Sequence, residues 1–452
     1  MKRVLSLLLA LIVLLSLCSC GVAPSSPVLA EAVYPSMAPR PRQEDYVKPN
    51  GWELKDSYFD AFGAWREDLQ SFRSQTLGYN SALDPWFGGF IRQTLSCAGN
   101  ENRVVSPLNV TMALAMLAEV TGRNTRQQIL DLLGAEDLDT LRSTAHALWL
   151  QSYQDDGQTA SILANAFWLA EGRSTKPKVL EALSSQYYAS VFQGRMGSPE
   201  YDALLQSWIN EQTGSLLQEE ASGLHLDPLT VLALTSALYF KSPWVSGFWK
   251  GLTEPGYFYG PDGEQTVDYL FRTDELTVYW GERFTAIPLS MENGGAMWIL
   301  LSDEGVTAED LLNDPEAMAF LLLRDKSNWE KQRFMEVEIH MPKFDVRSNL
   351  DLVEGLQAMG VTDAFDPSLA DFTPLTGKSD PLFVSKVAHA ARVKIDEEGC
   401  EASAYTVIEA PASEPAPLEE KLVFFVDHPF LFCITNAGGL PLFTGLVNRP
   451  VA

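Results

Sequence analysis

One segment, residues 397–404, restricts what this chain can fold into more than any other. It reads Glu-Glu-Gly-Cys-Glu-Ala-Ser-Ala, and every second residue from Cys400 to Thr406 is small or uncharged. Successive side chains of a β-strand point to opposite faces, so this pattern suits a strand packed inside a sheet. The proline-rich residues 409–417 that follow predict an exposed loop. Two interpretations result: an ordinary strand that runs into a loop, which the segment alone favours, or a loop that can become a strand.

Composition and charge limit the class of protein. The chain has 452 residues, of which 46% are hydrophobic and 20% are charged, as expected for a globular protein with a sizeable core. Its 33 basic and 59 acidic residues give a net charge of -26, which argues against binding to nucleic acid or to an anionic lipid surface. The same charge would assist encounter with a basic partner.

The N-terminus has the pattern of a secretory signal. Lys2 and Arg3 precede an apolar run, residues 4–17, that is too short for a transmembrane helix. Residues 17–21 resemble a bacterial lipobox, which predicts a signal peptide over residues 1–20 and lipidation of Cys20. Acyl chains would then hold the protein at the extracellular face of the cell membrane. The alternative is simple cleavage and release as a secreted protein.

The rest of the chain divides into an extension and one large domain. Residues 21–80 form the extension, in which the proline-rich residues 21–50 predict a flexible tether and the aromatic-rich residues 52–72 a helix. Residues 81–452 form the domain, whose apolar periodicity predicts helices first and strands later, an α+β class. The expected helices are 110–120, 125–133 and 201–214, and the expected strands are 231–240, 336–341, 383–395 and 422–434. The apolar run 159–169 fits a buried strand or a helix.

The motifs of common enzymes are missing from this sequence. It contains neither the Gly-x-Ser-x-Gly of a nucleophile elbow nor the His-Glu-x-x-His of a zinc protease. The five histidines have no spacing typical of metal ligands, and Cys97, Cys400 and Cys433 suggest neither a disulfide framework nor a metal site. We therefore expect no enzymatic activity, no cofactor and no metal. A secreted hydrolase is the disfavoured alternative.

The segment 397–404 resembles the hinge of the serpins, the serine protease inhibitors that act by loop insertion. Seven further motifs of that family occur in the family's order. They lie at 102–117, 163–165, 236–241, 341–344, 370–372, 384–389 and 427–432. Each motif alone is weak, but their shared order is specific. The resemblance extends from about residue 82 to the end of the chain, and it reverses the preference for an ordinary strand.

The resemblance implies a fold and a mechanism. Serpins pack helices around a large mixed central β-sheet, with two further sheets and an exposed reactive loop, here about residues 399–421. A target serine protease cleaves the loop and forms an acyl-enzyme, after which the loop inserts into the central sheet as a new strand. The inhibitor is consumed once. The implied hinge residues are Glu398, Gly399, Cys400, Glu401, Ala402, Ser403 and Ala404.

The loop sequence predicts an inhibitory member of the family. None of the inward-facing residues is charged: Cys400, Ala402, Ala404, Thr406, Ile408 and Ala410. Counting from the hinge glycine places the cut at Ser413–Glu414, whereas side-chain chemistry prefers Ala412–Ser413. Either bond offers a small residue, which suits elastase- or subtilisin-like proteases. The alternatives are a non-inhibitory serpin that acts as a binding or carrier protein, and an inhibitor of a cysteine protease.

The family also has a Ser-Asn-His cluster beneath the insertion point. Here Asn109 stands at the serine position and Ser236 at the asparagine position, with His389 unchanged and Ser106 in the same motif as Asn109. The exchange predicts that His389 hydrogen bonds the side chain of Asn109 or Ser236. Its expected role is structural control of sheet opening. We expect a monomer whose partners are the target protease and the membrane.

Overall fold

The computed structural model describes residues 27–50, 53–74, 81–215, 217–377, 382–400 and 420–450. Within these ranges the predicted helices at 110–120, 125–133 and 201–214 are confirmed with slightly shifted ends. The helices are α1 (Asp56–Ser74), α2 (Asp84–Ser96), α3 (Pro107–Val120), α4 (Arg123–Leu132), α5 (Leu138–Ser152), α6 (Pro177–Gln186), α7 (Pro199–Gln212), α8 (Gln218–Ser222), α9 (Ala308–Asn313), α10 (Pro315–Leu322), α11 (Val353–Ala358) and α12 (Thr373–Thr376).

Helices α3 and α7 begin with the same local signal, a serine followed by a proline. The Ser106 hydroxyl accepts a hydrogen bond from the amide of Asn109 at 3.2 Å, and Ser198 caps α7 in the same way. Proline suits the first helical position because its fixed φ is already helical and no backbone donor is lost there. All fourteen residues of α3 are buried, so this helix runs through the interior of the molecule.

The central sheet has the strand order β1–β5–β4–β6–β14–β13–β12, with β3 paired to β4. Its strands are β1 (Val28–Ala30), β3 (Gln154–Asp155), β4 (Ala160–Ala170), β5 (Ala189–Gly194), β6 (Leu232–Pro243), β12 (Phe344–Asp351), β13 (Val384–Ile395) and β14 (Gly399–Cys400). The β4–β5 and β6–β13 pairs are parallel and the others are antiparallel, so the sheet is mixed as predicted. Residues 159–169, for which the sequence allowed a buried strand or a helix, correspond to the strand β4, Ala160–Ala170.

The other nine strands in the described residues are hydrogen bonded in the order β15–β11–β8–β9–β10–β16–β17–β2, with β7 on β8. They are β2 (Arg103–Val105), β7 (Glu254–Gly260), β8 (Gly263–Trp280), β9 (Phe284–Ser290), β10 (Ala296–Ser302), β11 (Gln332–Pro342), β15 (Lys421–Phe425), β16 (Phe430–Thr435) and β17 (Pro441–Val447). The two further sheets of the prediction correspond to two portions of this arrangement. The 18-residue β8 joins them because its last two residues, Tyr279 and Trp280, also pair with β9.

The central sheet is covered on both faces. One face packs on α3 and the main core, to which β6 contributes Leu234 and Leu238. The other face packs under α7, where Trp168 of β4 meets Trp208 edge to face at 6.1 Å. A strand buried on both faces needs an apolar side chain at nearly every position, which accounts for the continuous apolar run in β6.

The N-terminal extension differs from the flexible tether predicted for residues 21–50. Within residues 27–50, β1 adds an edge strand to β5, and Tyr34 stacks on Trp149 with ring centroids 5.5 Å apart. The Tyr153 hydroxyl also donates to the carbonyl of Pro35 at 2.9 Å. Proline content misled the prediction because proline is compatible with an extended chain that packs at a sheet edge. The helix expected from the aromatic residues is confirmed as α1.

Residues 1–26, with the expected signal peptide and Cys20, lie outside the described residues. Among the residues that are described, no helix is both long enough and apolar enough to span a bilayer.

Candidate functional site

The hinge begins as a strand between β6 and β13. Cys400 is in register with Ser242 of β6 on one side and with Ile395 of β13 on the other, and Gly399 is opposite Pro243. Cys400 is only 2% exposed and faces the main core. The later hinge residues, Glu401, Ala402, Ser403 and Ala404, and the expected cleavage residues, Ala412, Ser413 and Glu414, lie outside the described residues.

Glycine is required at the start of this strand. Gly399 has φ +156°, and a Cβ built there would lie 2.4 Å from the carbonyl oxygen of Ser242. Any side chain would therefore push the hinge away from β6. The sequence motif contained this glycine, but only the structure shows that its neighbour is a backbone atom that has no freedom to move aside.

Trp244, directly after β6, holds the turn that leads into the hinge. Its amide donates to the carbonyl of Glu398 at 2.9 Å, and its indole Nε1 donates to the carbonyl of Asp396 at 3.0 Å. The Asp396 carboxylate accepts from the amides of Glu398 and Gly399 at 2.8 and 3.2 Å. Burial raises the pKa of Asp396, although these two amide bonds act in the opposite direction. Together these contacts fix the point at which the loop enters the sheet.

The two glutamates of the hinge are each bound by a cation. Glu397 forms an ion pair with Lys343 at 2.7 Å and accepts from the Thr253 hydroxyl at 2.8 Å. Burial opposes ionisation of Glu397, but these hydrogen bonds outweigh it and lower the pKa of the carboxyl group. Glu398 forms an ion pair with Lys250. The hinge is therefore attached to β12 and β7 through their flanking residues, as well as to β6.

A row of buried polar residues crosses the same sheet farther down. Asn165 of β4, Ser236 of β6 and His389 of β13 are register neighbours on three adjacent strands. The row faces the first turn of α3, where the Asn165 amide donates to Asn109 Oδ1 at 3.1 Å. His389 Nε2 accepts a hydrogen bond from the backbone amide of Ser106 at 3.1 Å. The structure thus brings the four predicted cluster residues together around α3.

The predicted hydrogen bond from His389 to Asn109 or Ser236 is wrong, because among the described residues neither side chain bonds the imidazole. The ring instead reaches the backbone of Ser106, while Asn109 is taken by Asn165. Sequence reasoning left Asn165 out of the cluster, although an asparagine inside an otherwise apolar strand was a signal for it. Four buried atoms of this group have no hydrogen-bond partner within the described residues: Asn109 Nδ2, Asn165 Oδ1, Ser236 Oγ and His389 Nδ1.

The His389 imidazole is neutral in the folded protein. It is fully buried, and burial lowers its pKa to about 4. A neutral ring that accepts at Nε2 carries its proton on Nδ1, so the atom without a partner is a donor. A further polar neighbour on the sheet side would complete the ring's hydrogen bonding.

We call the boundary between β6 and β13 the seam. At its lower end, residues 232–237 of β6 pair directly with residues 384–390 of β13. At its upper end, Gly399 and Cys400 lie between the two strands. Between Ala237 and Ser242, no residue of β6 pairs with β13 in the described part of the chain. At the upper end of the seam, Gly399 and Cys400 therefore separate β6 from β13, whereas at the lower end the two strands pair directly with each other.

Comparisons with known proteins give one consistent answer. The sequence model for "Serpin (serine protease inhibitor)" matches residues 89–450. An uncharacterized serpin-like protein of Thermococcus kodakarensis is 28% identical over 362 residues, which cover 78% of this chain and 82% of that protein. The human leukocyte elastase inhibitor is 27% identical over 358 residues, covering 77% and 93% of the two chains. The native structure of tengpin, a thermophilic serpin, matches with a TM-score of 0.73 at 22% identity, covering 82% and 95%.

Proposed function

Because the chain belongs to the serpin family, we propose that it is a suicide-substrate inhibitor of serine proteases rather than an enzyme. A protease would cleave the reactive loop, and the loop would insert into the seam before the acyl-enzyme hydrolyses. The observation that supports this best is the strand β14, because the hinge residues Gly399 and Cys400 already occupy the upper end of the position that the rest of the loop would fill.

The register of β14 defines where each loop residue would go. One step per residue along both neighbouring strands brings Ala402 level with Phe240 and Ala404 level with Leu238. These two β6 side chains are large and buried, so small residues beside them avoid overpacking. This packing would explain why the alternate residues of the hinge are small.

The same register brings Thr406 between Ser236 and His389. Both neighbouring strands give this position when residues are counted along the antiparallel pairing. Cys400 is opposite Ser242 of β6, so Thr406 would be opposite Ser236; Cys400 is also opposite Ile395 of β13, so Thr406 would be opposite His389. A threonine hydroxyl can both donate and accept, which suits a row in which Ser236 Oγ and His389 Nδ1 have no partner among the described residues. Insertion would then relieve a cost of roughly 1–3 kcal/mol for each buried polar atom that gains a bond.

The target that fits best is an elastase- or subtilisin-like protease, since Ala412 and Ser413 offer small side chains at the expected cut. The similar human protein is named for leukocyte elastase, which agrees with this class. The net charge of -26 would favour a basic protease by steering its approach.

We further propose that the protein acts as a monomer at the extracellular face of the membrane, held there by lipidated Cys20. Incorporation of a palmitate analogue into wild type but not into Cys20→Ser would test the anchor.

The inhibitor proposal is tested by incubating the protein with elastase and with subtilisin. A complex that survives a denaturing gel is expected, together with a released C-terminal peptide whose mass fixes the cut at Ala412–Ser413 or Ser413–Glu414. Protease with a blocked active-site serine is the control and should form no complex. Cleavage of the loop without any complex would instead identify a non-inhibitory binding or carrier protein. A parallel incubation with a papain-like protease tests the cysteine-protease alternative.

A further inference from the structure

The described part of the N-terminal extension, residues 27–50 and 53–74, contacts the body of the protein through two arginines, of which Arg40 is buried and Arg73 half-buried. Arg40 is 8% exposed, and its Nη1 lies 2.9 Å from Glu292 Oε2. Its guanidinium also packs over the rings of Phe62 and Trp65 of α1, with centroid distances of 5.4 and 5.2 Å. An arginine that is stacked on two rings and paired with a carboxylate is fixed in position.

Arg73, at the end of α1, reaches the residue next to Glu292. Its Nη2 donates to the carbonyl of Asn293 at 3.0 Å and to Gln154 Oε1 of β3 at 2.8 Å. Burial lowers the pKa of Arg73, with Asp156 acting in the opposite direction. The two arginines therefore hold consecutive residues of one turn, Met291–Gly295, which connects β9 to β10.

This turn is in turn bonded to the upper end of β6. The Glu292 amide donates to the carbonyl of Pro243 at 2.9 Å, and the Asn293 amide donates to the Ser242 hydroxyl at 3.0 Å. Ser242 and Pro243 are the residues against which Cys400 and Gly399 lie. Each arginine is thus separated from the hinge by one residue of the turn and one residue of β6.

We propose that Arg40 and Arg73 are positioning residues for loop insertion. They hold the Met291–Gly295 turn and, through it, the end of β6 on which the loop begins its new strand. This inference rests on the proposed inhibitory function. It gives the extension a role in the reaction that is separate from any tether to a membrane.

The physical reason is a competition between two rates. After cleavage, the acyl-enzyme is either trapped by insertion or hydrolysed, and insertion must begin with the residues that follow Cys400. If Ser242 and Pro243 move freely, they must lose conformational entropy when the first strand pairs form. This loss raises the free-energy barrier to the start of insertion. Insertion is then slower while hydrolysis is unchanged, so more inhibitor is cleaved without trapping protease.

The test compares Arg40→Gln and Arg73→Gln with Arg42→Gln. Arg42 is a matched control because it is an exposed arginine two residues from Arg40, paired with Glu44 at 3.6 Å. The measured quantity is the number of molecules cleaved for each protease trapped. We expect it to rise roughly fivefold in Arg40→Gln and Arg73→Gln, which corresponds to about 1 kcal/mol in one of the competing barriers, and not in Arg42→Gln. Equal values in all three variants would overturn the proposal.

Two further measurements separate positioning from a general loss of stability. The charge-reversed double variant R40E/E292R should recover at least part of the trapping that Arg40→Gln loses, whereas damage to the fold would persist. Hydrogen exchange at the amides of Ser242 and Trp244 should become faster in Arg40→Gln and stay unchanged at residues 232–237. If wild type traps no protease, the proposed function fails, and the exchange measurement still decides whether the arginines order the end of β6.

Discussion

The two ends of the seam differ in how completely their polar groups are satisfied. At the upper end, the Ser242 hydroxyl accepts from Asn293, the hinge carbonyls accept from Trp244, and Glu397 is paired with Lys343. At the lower end, Ser236 and His389 lie side by side with buried atoms that have no partner in the described residues. The seam is therefore filled where these polar groups are paired and closed where Ser236 and His389 have no partner in the described residues.

This difference gives the proposed loop insertion a direction. The inserted loop would extend from Cys400 toward the lower end of the seam. It would start where the polar contacts already exist and would reach the buried donors and acceptors of Ser236 and His389, which would then gain partners. Buried polar atoms without partners are costly, so the lower end is the part of the native sheet with most to gain from a new strand. Substitutions at Cys400, His389 and the two serines of β6 can test this contrast between the two ends.

Replacing Cys400 by arginine should abolish inhibition. Position 400 is 2% exposed and faces the main core, and an unpaired charge there costs several kcal/mol. The hinge would leave the seam, and protease would cleave the loop without being trapped. Cys400→Thr is the matched control, being similar in size and uncharged, and it should still form complexes on a denaturing gel. Trapping by Cys400→Arg at the wild-type level would show that the upper end does not start insertion.

Mild acid should weaken the lower end of the seam first. Burial holds the His389 pKa at about 4, below its ordinary value of 6.5, so the unfolded chain binds a proton before the folded protein does. The stability that neutral His389 contributes is present above pH 6.5 and is lost as the pH falls toward 4, by about 3 kcal/mol. At the upper end the lowered pKa of Glu397 lets its ion pair with Lys343 persist to a lower pH than an ordinary glutamate would allow.

Thermal unfolding between pH 7 and pH 4 measures this effect. The melting temperature of wild type should fall more steeply than that of His389→Gln, whose side-chain oxygen can still accept from the Ser106 amide and does not titrate. Identical slopes for the two proteins would mean that His389 is not the group that senses acid.

The smallest effect comes from the same substitution made at both ends of β6. Ser242→Ala removes the acceptor of the buried Asn293 amide and should cost about 1–2 kcal/mol in the free energy of unfolding. Ser236→Ala removes a hydroxyl that has no partner in the described residues, so it should be neutral or slightly stabilising. Urea unfolding of the two variants beside wild type gives both values. Equal destabilisation would remove the contrast between the two ends.

Much of the site could be predicted from sequence because it depends on local patterns. Gly399 and the small residues after it identified the hinge, and the motif order identified the fold. The hydrogen-bond partners could not be predicted, since they depend on which atoms of distant segments meet. His389 bonds a backbone amide that no side-chain pattern reveals, and Asn165 enters the cluster only because β4 lies beside β6.

The extension shows the same limit most clearly. Its prolines predicted a tether, whereas Arg40 and Arg73 are anchored on Glu292 and Asn293, more than 200 residues away in sequence. A pattern within a short window shows what a segment can do but not which surface it will cover.

The amino-acid sequence alone specifies the α+β class, the order of the family motifs, and a hinge in which alternate residues can face a core. These properties depend on side-chain size, charge and periodicity, which are local. Contacts between distant segments place Cys400 between Ser242 and Ile395 and put the polar row below it, with four buried atoms that have no partner in the described residues. They also bring two arginines of the extension against the turn that supports the strand end above. Register and contact between distant strands are set by how the whole sheet packs, and no single segment contains that information.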